Sequence, residues 1–156
     1  MNFETSAVHA GHVGDQHAGS VINPIYLSTT FERDEAGNVA PKGFTYSRLA
    51  NPNRSGLENK LAVLEAGAEA MAFSSGMAAT MAVCQSILGP NTHVIISDDC
   101  YHGVSQLIKK MYSRWGITYA EVDMTYPENV GKAIQANTKL ILMETPSNPL
   151  LKIADI

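Results

Sequence analysis

From Arg54 onward, short apolar runs alternate with segments that have helical periodicity. Leu57, Leu61 and Leu64 recur at the spacing of one helix face, which predicts a helix over residues 55–65. Between such segments, runs rich in Val, Ile and Leu are bounded by turn residues and predict strands. The predicted helices span residues 55–65, 76–88, 101–115 and 128–135, and the predicted strands span residues 70–74, 93–97, 118–122 and 139–144.

Helices and strands alternate in this order, which is typical of an α/β fold with a parallel sheet covered by helices. The strand at residues 139–144 is a nearly continuous apolar run, as expected of a strand buried on both faces. Residues 70–97 contain no Asp, Glu, Lys or Arg. We therefore expect residues 70–97 to lie in the middle of the domain.

Residues 1–53 have a different character, with glycines, prolines, clustered histidines and little periodicity. They predict an extended arm that packs on something else, followed by the regular α/β part over residues 54–156. At the other end, the chain stops a few residues after the last predicted strand and leaves an apolar edge strand uncovered. We expect the chain to be the front part of a longer one.

Composition narrows the class of protein. The chain has 156 residues, of which 45% are hydrophobic and 17% charged, which predicts a globular protein. A net charge of −4 and the lack of a basic block argue against nucleic-acid binding. Residues 1–12 lack Lys, Arg and an apolar run, so no secretory signal is expected, and no membrane segment is predicted. Cys84 and Cys100 are predicted to be free thiols of a reducing compartment.

Residues 73–79 join a predicted strand to a predicted helix and read Phe-Ser-Ser-Gly-Met-Ala-Ala. Serine is a favourable helix N-cap, and glycine permits close approach of the backbone. The free N–H groups and the dipole at a helix start favour an anion, and α/β proteins bind ligands where parallel strands end. The alternative is an ordinary capped helix. The sequence lacks the P-loop, dinucleotide-binding and nucleophile-elbow motifs.

Two further loops follow predicted strands. Residues 98–103 read Asp-Asp-Cys-Tyr-His-Gly, and Tyr101 could stack on a planar ligand; alternatively, the aspartates cap the next helix and Tyr101 belongs to the core. The paired carboxylates also suggest a metal, but no third ligand accompanies them at metal spacing. Residues 144–149 read Glu-Thr-Pro-Ser-Asn-Pro, where Asn148 could direct its amide into the same crevice or simply belong to a turn.

The arm contains two more candidate groups. Tyr46 and Arg48 could bind a phosphate, because Arg forms bidentate bonds and Tyr adds a hydroxyl donor; the alternative is a solvated surface pair. The possible metal ligands of the arm are His9, His12, Asp15 and His17. No rigid element is predicted there to fix them, so we expect solvated histidines and no metal.

Taken together, these loops resemble those of the Cys/Met-metabolism family of pyridoxal-phosphate (PLP) enzymes. That family includes cystathionine γ-synthase, cystathionine lyases, methionine γ-lyase and the O-acylhomoserine sulfhydrylases. The resemblance covers essentially the whole chain and depends on the order and spacing of motifs that are each weak alone. The motifs are Pro-Ile-Tyr-Leu-Ser-Thr-Thr-Phe at 24–31, Tyr-Ser-Arg at 46–48 with Asn-Pro at 51–52, Ser-Ser-Gly-Met-Ala-Ala at 74–79, Asp-Asp-Cys-Tyr at 98–101 and Glu-Thr-Pro-Ser-Asn-Pro at 144–149.

The resemblance implies an incomplete large domain of the PLP-dependent transferase-like fold (fold type I), with PLP bound where parallel strands end. The backbone N–H groups of Gly76 and Met77 would hold the cofactor phosphate. Tyr101 would stack on the pyridine ring and take part in proton transfer. Asn148 would hydrogen-bond the ring hydroxyl oxygen, and Glu144 would line the pocket.

The family also implies a shared site in a homotetramer whose catalytic unit is a dimer. Tyr46 and Arg48 would then reach the phosphate of the neighbouring subunit, so that the arm over residues 1–53 contacts that subunit. Losing the dimer would weaken retention of the cofactor, because an Arg–phosphate bond contributes roughly 1.5–3 kcal/mol.

Two features depart from the family pattern. The loop at Tyr101 reads Tyr-His-Gly, where many members have Tyr-Gly-Gly. The family's Schiff-base lysine, usually within Ser-x-Thr-Lys, and the aspartate that pairs with the pyridine nitrogen would both lie beyond Ile156. The lysines of this chain, none of them in that motif, are Lys42, Lys60, Lys109, Lys110, Lys132, Lys139 and Lys152. We therefore expect the chain alone to be inactive.

The implied parent is a cytoplasmic enzyme that performs β- or γ-elimination or γ-replacement on cystathionine, methionine or an O-acylhomoserine. General similarity favours a cystathionine γ-synthase or lyase, with O-acetylhomoserine sulfhydrylase and methionine γ-lyase as alternatives. For the chain by itself, two further hypotheses are a noncovalent PLP-binding module and the remnant of a broken gene. The expected partners are an amino-acid substrate and further copies of the subunit, with no nucleic acid or membrane.

Overall fold

The computed structural model describes residues 2–15, 17–39 and 43–156. Lys42 therefore lies outside the described residues. The chain divides into two compact units, Met1–Ala72 and Phe73–Ile156. Each unit has its own helices, and the sheet belongs to the second unit.

Within its described residues, the first unit contains two helices, and the described residues between them (10–15, 17–39 and 43–51) form an irregular segment. Helix α1 spans Phe3–His9 and helix α2 spans Pro52–Leu64. Asn51 caps α2 by accepting a hydrogen bond from the Asn53 N–H, and Pro52 occupies the first helical position, where its missing N–H costs nothing. The predicted helix over residues 55–65 is thus confirmed, with its start three residues earlier.

Asparagine side chains attach the irregular segment to α2. Asn53 accepts from the Tyr26 N–H at 2.7 Å and donates to the Pro24 carbonyl at 2.7 Å. Gly11, with φ +70°, lies against Gly56, and a Cβ on Gly11 would come within 2.0 Å of the Gly56 carbonyl oxygen. The close approach of the two backbones therefore requires glycine at position 11.

The second unit contains a three-stranded parallel sheet in the order β2-β1-β3. Its strands are β1 (His93–Ser97), β2 (Thr118–Val122) and β3 (Thr138–Leu142). Helix α3 (Gly76–Ile87) precedes β1, and helix α5 (Pro127–Ala133) lies between β2 and β3. These elements confirm the predicted α/β class and its parallel sheet.

Strand β1 separates two apolar clusters. Its five residues are all buried, and successive side chains point to opposite faces. Val94 and Ile96 join a cluster that includes Cys84 of α3 and Ile108, whereas Ile95 packs with Met124 and Ala154. Strand β1 is therefore covered on both faces. The expectation that the strand over residues 139–144 is buried on both faces is wrong, because β3 alternates between half-buried and exposed residues and Ile141 is 43% exposed.

The segment predicted as one helix over residues 101–115 changes its geometry along its length. Helix α4 (His102–Gln106) continues as a π-helical turn over Leu107–Met111 and a 3₁₀ turn over Tyr112–Trp115, and Gly116 ends it with φ 74°. The wider turn lets the consecutive residues Leu107 and Ile108 both enter the core. Apolar spacing alone does not reveal such a turn.

The predicted strand over residues 70–74 is wrong, since no strand occupies these residues in the described part of the chain. The Ala72 N–H donates to the Glu58 carboxylate at 3.0 Å, rather than to a neighbouring strand. Met71 is 74% exposed and Phe73 45%, so the charge-free stretch is central only in its later part, where Cys84 of α3 and all of β1 are buried. An apolar run without a strand beside it does not form a sheet.

The predictions about membrane-spanning segments and about the two cysteines can be compared with the described residues. None of the helices described here is long and apolar enough to cross a bilayer. Both cysteines are free thiols, as predicted, with Cys84 buried and Cys100 half-buried.

We predict that His93 makes the stability of the protein depend on pH. The ring is fully buried, with Nδ1 2.8 Å from the Thr138 hydroxyl, and burial lowers the pKa of His93 below its ordinary value of 6.5. As pH falls through about 6.5, the unfolded imidazole takes a proton that the folded one does not, so stability decreases by at most about 1.4 kcal/mol per pH unit. The midpoint of thermal unfolding should fall between pH 7.5 and 5.5.

The variant His93→Gln should lose most of this pH dependence, whatever its stability at pH 7.5. His102→Gln, which removes an exposed imidazole of the same unit, is the matched control and should retain the dependence. An unchanged pH profile for His93→Gln would contradict the assignment.

Candidate functional site

The candidate site lies where β1 and β3 end. The two strands are parallel neighbours, so the loops that follow them begin at the same edge of the sheet. The loop after β1 carries Tyr101, and the loop after β3 carries Glu144 and Asn148. Helix α3 begins at Gly76 in the same unit.

The start of α3 leaves two backbone donors available. Ser75 caps the helix: its Oγ accepts from the Ala78 N–H at 3.1 Å, and its carbonyl accepts from the Ala79 N–H. In the part of the chain that the structure describes, the N–H groups of Gly76 and Met77 have no such acceptor. A Cβ placed on Gly76 would meet nothing within 4 Å, so the space beside this turn is open.

Tyr101 lies beside this turn. If Gly103 carried a Cβ, that atom would lie 2.6 Å from Cε1 of Tyr101 and 3.0 Å from Sδ of Met77. Both side chains therefore contact the same glycine, and the tyrosine ring occupies the space that any larger residue at position 103 would need. The ring is 49% exposed, so the alternative of a core tyrosine is wrong.

Glu144 holds the backbone of Tyr101. Its Oε2 accepts a hydrogen bond from the Tyr101 N–H at 2.8 Å, although the two residues are 43 positions apart. Glu144 thus joins the loop after β3 to the residue that begins α4. The structure brings together Met77, Tyr101 and Glu144 of the predicted site residues, with Asn148 exposed on the same loop as Glu144.

The two aspartates before Tyr101 do not cap the helix, contrary to the simpler interpretation. Tyr101 is the N-cap residue of α4, and no side chain caps that helix. Asp98 instead accepts from Nζ of Lys152 at 2.9 Å, and Asp99 accepts from Ser147 and Leu150. The carboxylates connect two loops because they follow β1 directly, at the sheet edge where the loop after β3 also begins.

Tyr46 and Arg48 lie in the first unit, stacked on one another, with Cζ of Arg48 4.9 Å from the Tyr46 ring centroid. Tyr46 pairs with Thr30 in an antiparallel bridge. Arg54 donates to the carbonyls of Ser47 and Leu49 on either side of Arg48. The turn that presents the guanidinium is therefore fixed by a second arginine.

The histidines of the arm form no recognisable metal site. Within the described ranges, no three His, Cys, Asp or Glu side chains are arranged to hold a metal ion. Asp15 instead accepts from the backbone N–H groups of His17 and Ala18, and the His17 bond is the main reason that its pKa is lowered.

Ionisable groups beside the loops have shifted pKa values. Burial, followed by the carboxylates of Glu121 and Glu144, raises the pKa of the Cys100 thiol. That thiol is therefore neutral and a poor nucleophile at neutral pH. The Asp98 carboxylate raises the pKa of Lys152, so Lys152 remains a cation that joins the loops.

Comparison with known proteins identifies the family. The sequence model of the family described as Cys/Met metabolism PLP-dependent enzyme matches residues 4–156. The chain belongs to this family. The match confirms the predicted family and its cofactor, pyridoxal 5′-phosphate.

Three relatives show how far the similarity extends. Cystathionine gamma-synthase of Mycobacterium tuberculosis (strain H37Rv) is 49% identical over 152 residues, which are 97% of this chain and 39% of that protein. Cystathionine gamma-lyase of Bacillus subtilis is 44% identical over 100% of this chain and 40% of that protein. The crystal structure of metB from Corynebacterium glutamicum has a TM-score of 0.94 at 42% identity and covers 99% of this chain and 40% of that one. The chain thus spans about 40% of the length of these relatives.

The residues present fit the PLP of this family. A phosphate dianion needs donors, and the first turn of α3 offers the N–H groups of Gly76 and Met77, with open space where a Cβ of Gly76 would lie. A planar ring needs an aromatic surface, and the half-exposed Tyr101 lies against Met77 of that same turn. Every buried side-chain polar atom of the described residues already has a hydrogen-bond partner. The side-chain groups that remain free to bind a ligand are therefore exposed ones at this edge of the sheet.

Sequence reasoning missed the roles of three residues that organise the candidate site: Asp99, Gly103 and Ser147. Asp99 and Ser147 are 48 positions apart, and no local pattern links them. The signal for Gly103 was present, because it is the one small residue after Tyr101 in the Tyr-His-Gly sequence.

We predict that Glu144→Ala loosens the backbone at Tyr101. The variant removes the acceptor of the Tyr101 N–H, and a hydrogen bond to a charged group contributes roughly 1.5–3 kcal/mol, part of which water replaces. Hydrogen exchange of the Tyr101 amide, followed by NMR, should become about tenfold faster. Glu144→Gln keeps an acceptor and should have a smaller effect.

Glu128→Ala, which removes an exposed carboxylate in the first turn of α5, is the control and should leave Tyr101 exchange unchanged. Equal exchange rates in wild type and Glu144→Ala would show that Glu144 does not hold this backbone.

Proposed function

We propose that this chain supplies the phosphate and ring contacts of the PLP site in an enzyme of sulfur amino-acid metabolism. The observation that supports the proposal is the start of α3. Two N–H groups there lie at the exposed start of the helix, near Tyr101, in a chain of a PLP-dependent family. The names of the relatives, cystathionine gamma-synthase and cystathionine gamma-lyase, support cystathionine or a related amino acid as substrate.

In this proposal the N–H groups of Gly76 and Met77 bind the cofactor phosphate. The helix dipole and the absence of internal partners for the first N–H groups favour a dianion at that position. The hydrogen bond from the Ala78 N–H to Oγ of Ser75 keeps the turn in shape without occupying the N–H of Gly76 or of Met77. A tight contact is possible because Gly76 has no Cβ to hold the phosphate away.

The ring contacts come from the two loops. Tyr101 stacks on the pyridine ring, and its phenolic oxygen exchanges a proton with the substrate. Asn148 donates a hydrogen bond from its side-chain amide to the ring hydroxyl oxygen, and Glu144 holds Tyr101 in place by accepting from its backbone N–H. When bound, PLP provides the electron sink for loss of the α-proton and for β- or γ-elimination or γ-replacement.

We further propose that the complete enzyme is a cytoplasmic homotetramer built from dimers, with residues 1–53 as an arm on the neighbouring subunit and residues 54–156 as the first part of the large domain. Tyr46 and Arg48 then contribute to the phosphate site of that neighbour. The pair is already stacked, and the carbonyls on both sides of Arg48 are bound by Arg54. A guanidinium fixed in this way loses little side-chain entropy when it binds an anion.

The reaction of the complete enzyme is proposed to resemble that of cystathionine γ-synthase or γ-lyase. Both names occur among the relatives, so the reaction within this group is left as elimination or γ-replacement. The 156 residues contain no Ser-x-Thr-Lys motif, and we propose that they are catalytically inactive by themselves.

We predict that Gly76→Pro weakens PLP binding while the helix start is preserved. Proline is favoured at the first helical position and lacks only the N–H proposed to bind the phosphate. Loss of a hydrogen bond to a charged group should weaken the affinity for PLP about tenfold or more, measured by absorbance titration of PLP into the chain. Circular dichroism should show an unchanged melting temperature.

Gly76→Ala is the matched control, because it retains the N–H and its Cβ meets nothing within 4 Å. It should bind PLP like the wild type, and inorganic phosphate should compete in both. If Gly76→Pro binds PLP as well as Gly76→Ala does, the phosphate does not lie at this helix start.

The second candidate function for the chain alone is a noncovalent PLP-binding module. It is favoured because these 156 residues contain all the proposed cofactor-binding residues but no Ser-x-Thr-Lys motif. The proposed residues are Tyr46, Arg48, Gly76, Met77, Tyr101, Glu144 and Asn148. Treatment of the PLP complex with borohydride followed by mass spectrometry should then give no stoichiometric pyridoxyl adduct on a lysine. A single fully labelled lysine would contradict this candidate, since it would show a Schiff base in this chain.

A further inference from the structure

Asp99 connects the loops after β1 and β3. Its Oδ2 accepts a hydrogen bond from Oγ of Ser147 at 2.5 Å and another from the Leu150 N–H at 3.1 Å. Ser147 and Leu150 lie on either side of the Asn148-Pro149 pair. The carboxylate therefore holds the short segment that carries Asn148 at both of its ends.

Ser147 makes this connection specific. It is only 1% exposed, and its hydroxyl is fully used, because it donates to Asp99 and accepts from the Lys152 N–H at 2.9 Å. A buried hydroxyl that loses its acceptor pays the desolvation penalty of an unpaired polar group. The conformation of the loop therefore depends on an acceptor at the position of Asp99.

Asp99 is itself well anchored. It lies two residues after the end of β1, and every residue of β1, the central strand, is buried. The neighbouring Asp98 binds Lys152, which adds a second link between the same loops. A rigid strand thus determines the place of the carboxylate, and the carboxylate determines the place of the irregular loop.

We propose that Asp99 is the positioning residue for Asn148, directing the exposed amide of Asn148 toward the ring hydroxyl oxygen of PLP. This inference rests on the proposed PLP site. Asp99 acts through Ser147 and Leu150 and does not touch the cofactor. Its role complements that of Glu144. Glu144, in the loop after β3, accepts a hydrogen bond from the loop after β1, whereas Asp99, in the loop after β1, accepts one from the loop after β3.

The test is a double-mutant cycle that measures affinity by absorbance titration. Wild type, Asp99→Asn, Asn148→Ala and the double variant are each titrated with PLP and with a PLP analogue that lacks the ring hydroxyl. Asp99→Asn should weaken PLP binding about fivefold, because the amide is a weaker acceptor than the carboxylate. It should leave the affinity for the analogue unchanged and add nothing in the Asn148→Ala background.

Asp155→Asn, which removes an exposed carboxylate of the same unit, is the matched control and should bind both ligands like the wild type. If Asp99→Asn does not fold, as judged by its circular dichroism, Ser147→Ala takes its place in the cycle. Ser147→Ala breaks the same connection from the other side and should show the same selectivity for the ring hydroxyl.

The outcomes separate this inference from the proposed site. Wild type that fails to bind PLP overturns the proposed site, and the role of Asp99 with it. Wild type that binds PLP, with an equal affinity in Asp99→Asn, overturns the role of Asp99 alone. A loss that is the same for PLP and the analogue, or that persists without Asn148, also overturns it, because it shows a general effect on the fold.

Discussion

The complete burial of strand β1 is the constraint on which the second unit depends. Val94 and Ile96 pack against one apolar cluster and Ile95 against the other, while β2 and β3 satisfy the backbone on both sides. A strand enclosed in this way has no freedom to shift its register, since a slip of one residue would exchange its two faces. The residues that follow β1 therefore start from a fixed point, and Asp98, Asp99 and Tyr101 are the first of them.

Loops attached to such a strand acquire order from a few long-range hydrogen bonds rather than from secondary structure. The loop after β3 makes two kinds of contact with the loop after β1, through Glu144 to the Tyr101 backbone and through Ser147 to Asp99. Each joins a carboxylate oxygen to a donor more than 40 positions away in the sequence, and hydrogen bonds to carboxylates are stronger than those between neutral groups. The edge of the sheet is thus organised by polar links above an apolar core.

The sequence predicted those features that depend on local periodicity. Strands β1 and β2 were predicted with their observed bounds, and the parallel arrangement followed from the alternation of elements. The motif positions of Tyr101 and Glu144 also led to one edge of the sheet, because loops after parallel neighbours meet there. Motif order was a stronger signal than any single loop, since each loop alone also fitted a simple cap or turn.

The remaining features depend on partners that are distant in sequence. Whether residues 70–74 form a strand is decided by what lies beside them, and apolar composition carries no information about that. The aspartates at 98 and 99 fitted a helix cap until the structure placed Lys152 and Ser147 next to them. The π-helical turn at Leu107–Met111 is likewise a response to tertiary packing.

Lys152 makes the contacts at this edge sensitive to salt, which hydrogen bonds between neutral groups are not. Its ammonium lies 2.9 Å from a carboxylate oxygen of Asp98 and 3.5 Å from one of Asp123, so one cation joins the segments that follow all three strands. The pairs are partly exposed to solvent, and added salt weakens the attraction between partly exposed charges. The links that Lys152 makes among the segments after the three strands therefore weaken as ionic strength rises, while the apolar layers below them are unaffected.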